Sequence, residues 1–119
     1  MKRVMLMDDS EMFLAGLASA LRTMGYEVTC ANDLAQLTEL RVQSTFDLVL
    51  MDVQMPEAFG DDIALTLRHV YGIAAPIYLL SSLDEVDLAD RVKWAGIEGF
   101  ISKQLGVDAI VGRVGTILT

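Results

Sequence analysis

The sequence predicts an α/β fold in which a five-stranded parallel sheet is covered by helices on both faces. Five short apolar runs alternate along the chain with segments whose apolar residues recur at helical spacing. The run at residues 48–51, Leu-Val-Leu-Met, is apolar at every position, which is typical of a strand buried on both faces. Right-handed crossovers then favour the strand order 2-1-3-4-5, with a switch point between strands one and three.

Each element follows from a local pattern in the sequence. The predicted strands lie at residues 4–7, 26–31, 48–51, 77–80 and 97–101. Five helices are predicted: from a cap at Ser10 to Gly25, from a cap at Asp33 to about residue 43, from Asp61 or Asp62 to about residue 70, at 84–95 and at 107–118. Gly25 and Gly96 are expected to end two of these helices, because glycine adopts positive φ without strain. The strand order matches that of flavodoxin-like proteins.

Length and composition limit the classes of protein that this chain can belong to. At 119 residues, 53% of them hydrophobic, it is expected to form one domain over residues 1–119. The net charge of −8 argues against direct nucleic-acid binding, because that needs a basic surface. No apolar run is long enough to span a membrane. The single cysteine, Cys30, cannot form an internal disulfide, so a cytoplasmic location is expected.

Charged and polar residues follow four of the predicted strands. They are Asp8 and Asp9, Asp52, Ser81 and Lys103. The strand order brings the three aspartates to one edge of the sheet, where two like charges at about 4 Å cost on the order of 1 to 4 kcal/mol. Such a cluster holds either protons or a cation, and an all-oxygen ligand set favours Mg²⁺. With one magnesium ion and the lysine ammonium, the formal charges of the site sum to zero.

These residues, in this order, resemble the receiver domain of response regulators in two-component signalling. The resemblance spans nearly the whole chain. It is carried by Asp8 and Asp9, by Asp52 with the following Met55-Pro56, by Ser81 and by the segment 99–103, Gly-Phe-Ile-Ser-Lys. It implies a phosphoacceptor switch rather than an enzyme with a separate substrate, so that the domain catalyses only its own phosphoryl transfer and dephosphorylation.

The resemblance also implies a role for each site residue. Asp52 would accept a phosphoryl group from a histidine kinase. The metal ligands would be Asp8, Asp9 and Asp52 together with the backbone carbonyl of Gln54, and no other cofactor is implied. Ser81 and Lys103 would contact the phosphoryl oxygens, and Phe100 occupies the position of an aromatic switch residue. The switching surface would be the face formed by the fourth helix, the fifth strand and the fifth helix.

The implied partners are other signalling proteins. A sensor histidine kinase or a phosphotransfer protein would supply the phosphoryl group. A downstream effector protein or a fused output domain would read the result. Homodimerisation through the switching surface is also considered, whereas contact with nucleic acid or a membrane is not expected.

Two positions depart from the usual receiver pattern. Gln104 follows Lys103, where receivers commonly carry a proline joined by a cis bond. A cis bond before a non-proline residue costs roughly 2.5 to 4 kcal/mol, so this bond is predicted to be trans. Phe100 replaces the commoner tyrosine. Two further residues are assigned no role in the site: Trp94 is expected to be partly buried at the edge of the core, and His69 to lie on the surface.

Three other functions are compared with the phosphoacceptor. A receiver-like interaction module that works without phosphorylation is kept as the alternative, because of Gln104. A phosphatase resembling haloacid dehalogenases is disfavoured, since an acid is expected two residues after the nucleophile and Gln54 and Ser10 occupy those positions. A flavin-binding protein is disfavoured because the acidic loop after strand one would repel a phosphate that has no metal.

Overall fold

The computed structural model of the chain describes residues 1–33, 36, 39, 45–54, 60–69 and 72–119. The strands are β1 (Arg3–Met7), β2 (Glu27–Ala31), β3 (Leu48–Asp52), β4 (Ile77–Ser81) and β5 (Gly99–Ser102). The α-helices within the described part are α1 (Glu11–Thr23), α2 (Gly60–His69), α3 (Glu85–Ala95) and α4 (Val107–Leu118), and a 3-10 turn covers Lys103–Leu105. Most of the helix predicted after Asp33, and the Met55-Pro56 turn, lie outside the described residues.

The sheet is parallel throughout, and its order β2-β1-β3-β4-β5 confirms the predicted topology. In the register of β1 against β3, Met7 lies opposite Met51. The residues that follow, Asp8 and Asp52, therefore emerge side by side at the carboxyl edge of the sheet. The topology alone thus determines where the two acidic groups meet.

The element boundaries differ from the predictions by one or two residues. β3 and β4 each include their terminal polar residue, Asp52 and Ser81. β5 begins at Gly99, two residues later than expected, because the N–H of Ile97 donates to the Val92 carbonyl at the end of α3. α2 begins at Gly60, so the prediction of a start at Asp61 or Asp62 was late.

The two faces of the sheet carry separate hydrophobic clusters. One cluster packs Val49 and Met51 of β3 and Leu79 of β4 beneath α2 and α3. The other packs Leu50 of β3 and Ile101 of β5 beneath α1 and α4. All five residues of β3 are buried, as expected for the central strand of a sheet covered on both sides. Asp52 therefore ends a strand that is buried along its whole length.

The helices end where local chemistry predicts. The Ser10 hydroxyl accepts a hydrogen bond from the Phe13 N–H at 3.3 Å and caps α1, and Asp84 caps α3 in the same way. Gly96 ends α3 with φ of 68°, and Gly25 follows α1 with φ of 95°. Both glycines therefore adopt the positive φ that was predicted for them.

The prediction for Trp94 was wrong. Its side chain is 56% exposed, because α3 turns Leu88 and Ala95 towards the sheet and leaves Trp94 facing outwards. His69 lies on the surface, as expected. None of the helices in the described ranges is both long enough and apolar enough to cross a bilayer.

Gly99 lies directly beneath the ring of Tyr78, its register neighbour on β4. A Cβ at position 99 would stand 2.9 Å from Cε2 of that ring. We expect Gly99→Ala to lower the free energy of unfolding by about 1 to 3 kcal/mol, because the ring must leave a packed position. Urea denaturation measures this change.

Gly112→Ala is the matched control for Gly99→Ala. A Cβ at position 112, on α4, meets nothing within 4 Å, so this substitution is expected to stabilise the helix by up to about 1 kcal/mol. Adding Tyr78→Leu to Gly99→Ala should recover part of the loss. Full stability of the Gly99→Ala protein would contradict the assigned packing.

Candidate functional site

Three carboxylates meet at the carboxyl edge of the sheet. One oxygen from each of Asp8, Asp9 and Asp52 lies within 4.8 Å of the others. Asp8 and Asp52 are buried, with 1% and 5% of their surface exposed, whereas Asp9 faces solvent. The cluster therefore combines two buried carboxylates with one that is open to solvent.

Asp8 is held in place by contacts at both carboxylate oxygens. Its Oδ1 accepts a hydrogen bond from the Ser10 N–H at 2.9 Å, within the loop that starts α1. Its Oδ2 forms an ion pair with Nζ of Lys103 at 2.6 Å. These contacts orient a carboxylate that is almost completely buried.

The Lys103 ammonium lies between two carboxylates. Nζ is 2.6 Å from Asp8 and 3.5 Å from Oδ1 of Asp52, and the side chain is only 18% exposed. The same nitrogen stands 4.5 Å from the centre of the Phe13 ring, which is a cation–π contact. Phe13 was not predicted to belong to the site.

The surroundings of Asp52 raise its pKa from 3.8 to about 6. Burial away from water is the largest cause, and the negative charge of Asp8 adds to it. Lys103 and the backbone N–H of Gln54 act in the opposite direction, since both stabilise the ionised form. Asp52 is therefore ionised at neutral pH, but at an energetic cost that a cation would relieve.

The residues of the cluster fit a hard divalent cation. Their donor atoms are carboxylate oxygens, which Mg²⁺ prefers. Three carboxylates against one ammonium leave two negative charges without a partner among the groups of the cluster. A magnesium ion would balance that excess and would offset the negative charge of Asp8, which is the second cause, after burial, of the raised pKa of Asp52.

The remaining predicted site residues lie on β4, on β5 and just after β3. Ser81 is buried at the end of β4, one residue beyond Leu80, the register neighbour of Asp52. Gln54 is exposed two residues after Asp52. Phe100 is half-buried and packs on the cluster beneath α3.

Gln104 follows Lys103 in the 3-10 turn. The described residues contain no cis peptide bond, which confirms the trans bond predicted between Lys103 and Gln104. The Gln104 N–H donates to Oγ of Ser102 at 3.2 Å, and its side-chain Nε2 donates to the Ser82 carbonyl at 3.1 Å. The sequence did not predict either contact.

Comparison with solved structures shows the same fold in proteins of the same size. The Vibrio cholerae chemotaxis protein CheY4 matches with a TM-score of 0.90 over 99% of both chains at 24% identity. The response regulator protein TrrA from Thermotoga maritima, solved in complex with Mg(2+)-BeF, matches with a TM-score of 0.84 at 26% identity over 99% of this chain and 100% of its own.

Comparison with curated sequences gives relatives of different lengths. The chain is 32% identical over 114 residues to the response regulator protein PmrA of Pseudomonas aeruginosa, covering 94% of this chain but 50% of PmrA. It thus spans about half the length of that relative. The polar-differentiation response regulator DivK of Brucella anthropi is 26% identical and is covered over 96% of its length. The family model described as the response regulator receiver domain matches residues 4–115, and the chain therefore belongs to that family.

Proposed function

We propose that residues 1–119 form a phosphoacceptor domain that takes a phosphoryl group from a histidine kinase onto Asp52 in a magnesium-dependent step. The observation that carries the proposal is the placement of Asp52. Its carboxylate ends the central strand, 3.5 Å from the Lys103 ammonium and beside two further carboxylates. Family membership and the match to PmrA support the same role.

Asp52 acts as the nucleophile. In the transfer, the bond between phosphorus and the histidine nitrogen of the donor breaks, and a bond between phosphorus and a carboxylate oxygen of Asp52 forms. Asp52 must be ionised to attack, and its pKa of about 6 leaves most of it ionised at neutral pH. Lys103 stabilises the negative charge on the transferring group, and this charge stabilisation is the main requirement of phosphoryl transfer.

Asp8, Asp9 and Asp52, with the backbone carbonyl of Gln54, would hold the magnesium ion. When bound, the ion neutralises charge on the phosphoryl oxygens and helps to align donor and acceptor. The Mg(2+)-BeF complex of TrrA supports this assignment for a protein of the same family. Asp8, which contacts the Ser10 N–H and the Lys103 ammonium, would present its carboxylate to the ion in a defined orientation.

Phosphorylation would switch the face formed by α3, β5 and α4. A phosphoryl group on Asp52 adds negative charge and acceptor oxygens, which would attract the Ser81 hydroxyl and keep Lys103 in place. The displacement of Ser81 would free space that the half-buried Phe100 ring can enter. A sensor histidine kinase or phosphotransfer protein upstream, and an effector or a fused output domain downstream, complete the proposal, which places the domain in the cytoplasm.

Intact mass spectrometry tests the proposal directly. After incubation with acetyl phosphate and Mg²⁺, the wild-type protein should gain one phosphoryl group, and a chelator should prevent the gain. The Asp52→Ala variant should gain none. Asp90→Ala, which removes an exposed aspartate from α3, is the matched control and should react like the wild type.

The alternative function predicts a different outcome. A receiver-like interaction module that works without phosphorylation would fold normally and gain no mass with any donor. That result for the wild-type protein, in the presence of millimolar Mg²⁺, would overturn the phosphoacceptor proposal.

A further inference from the structure

One peptide unit connects the Ser81 hydroxyl with the side chain of Gln104. The unit joins Ser82 to Leu83. Its carbonyl oxygen accepts a hydrogen bond from Nε2 of Gln104 at 3.1 Å, and its N–H donates to Oγ of Ser81 at 3.1 Å. Because a trans peptide is planar, with its carbonyl and N–H pointing in opposite directions, a group that fixes one end also fixes the direction of the other.

Gln104 is itself fixed at its backbone. Its N–H donates to Oγ of Ser102, and Ser102 is the register neighbour of Ser81 on the adjacent strand. Its side chain then reaches across to the loop after β4. Gln104 is also the residue directly after Lys103, so the two groups proposed to contact the phosphoryl oxygens are linked through a single side chain.

We propose that Gln104 is a positioning residue for phosphoryl transfer and acts through the Ser82–Leu83 peptide on the Ser81 hydroxyl. The inference rests on the proposed function. Oγ of Ser81 accepts the Leu83 N–H, which leaves its own hydrogen free to point towards a phosphoryl group on Asp52. The hydrogen bond from Gln104 polarises the peptide and strengthens the Leu83 N–H as a donor, because linked hydrogen bonds reinforce one another.

The proline that receivers commonly carry after the lysine has no N–H and no side-chain donor. Neither of the two hydrogen bonds that Gln104 donates is available to it. The replacement of the usual proline by Gln104 therefore adds two hydrogen bonds that a proline could not form. In this chain, a hydrogen bond from Gln104 joins the turn that carries Lys103 to the loop that follows Ser81.

A double-mutant cycle tests the inference. Gln104→Met keeps the length of the side chain and removes the donor. We expect it to slow phosphorylation of the wild-type chain by acetyl phosphate and Mg²⁺ about fivefold, the factor that one ordinary hydrogen bond represents. In a Ser81→Ala background the same substitution should have no further effect, because the hydroxyl on which it acts is gone.

A second measurement needs no phosphorylation. The carbonyl carbon of Ser82 should change its NMR chemical shift in the Gln104→Met protein, which has lost the hydrogen bond. Leu105→Ala alters an exposed residue of the same 3-10 turn and is the matched control. It should leave both the Ser82 signal and the phosphorylation rate unchanged.

Three results would overturn the inference while leaving the proposed function intact. They are an unchanged phosphorylation rate in Gln104→Met, an equal slowing in the Ser81→Ala background, and an unchanged Ser82 carbonyl signal. A wild-type chain that takes up no phosphoryl group would overturn the proposed function as well. The mass measurement on the wild-type protein therefore distinguishes a failure of the proposed function from a failure of the inference about Gln104.

Discussion

A Lys103→Met variant is expected to accept a phosphoryl group about 100- to 1000-fold more slowly than the wild type, the usual loss when one preorganised charge-stabilising group is removed. Methionine keeps an unbranched side chain over the Phe13 ring but carries no charge to balance the transferring group. The Asp52 and Asp8 carboxylates also lose the cation that lies between them. The initial rate of mass gain with acetyl phosphate, at saturating Mg²⁺, measures the effect.

The same variant should bind Mg²⁺ more tightly than the wild type. Without the ammonium, three carboxylates face the ion with no competing positive charge. Isothermal titration of the unphosphorylated protein measures this affinity. The matched control is Lys93→Met, which removes an exposed lysine from α3. A phosphorylation rate within threefold of the wild type would show that Lys103 does not stabilise the transferring group.

In the metal-free protein, we expect Asp52→Asn to raise the free energy of unfolding at pH 7.5 by about 2 to 3 kcal/mol, as follows from the raised pKa of Asp52. The folded protein holds the Asp52 proton up to about pH 6, whereas an unfolded chain releases it near 3.8. Between these values the folded state binds more protons, so wild-type stability falls as the pH rises. Above pH 6, Asp52 is ionised in the folded protein, and the loss in the free energy of unfolding reaches its full size.

The difference between the two proteins should therefore be small near pH 3.8 and reach its full size above pH 6. Urea denaturation in the presence of a chelator, at a series of pH values, measures it. Asp90→Asn removes an exposed carboxylate and should change stability by only a few tenths of a kcal/mol. A difference that is independent of pH would contradict the assigned cause.

The sheet was predictable because its strands bury both faces. An uninterrupted run such as residues 48–51 leaves no solvent-facing position, so periodicity was not needed to recognise β3. Once the strand order is known, the meeting of Asp8 and Asp52 follows from the register of β1 against β3. The catalytic and metal-binding roles of these residues stay predictions until the phosphorylation experiments are done.

The parts that the sequence did not predict depend on side-chain direction. Gln104 reaches the Ser82 carbonyl, 22 positions away in the chain, and no spacing rule describes such a contact. Phe13 meets Lys103 only because α1 and the turn after β5 happen to converge. Trp94 was expected at the edge of the core, but the neighbouring Ala95 occupies the buried side of α3.

The exposure of Trp94 gives this protein an optical reporter. It is the only tryptophan in the chain, and more than half of its surface is exposed near the end of α3. Its fluorescence should be strongly quenched by acrylamide in the isolated domain. A protein that docks over this end of the helix should shield the indole and shift its emission to the blue, so complex formation can be followed without a label.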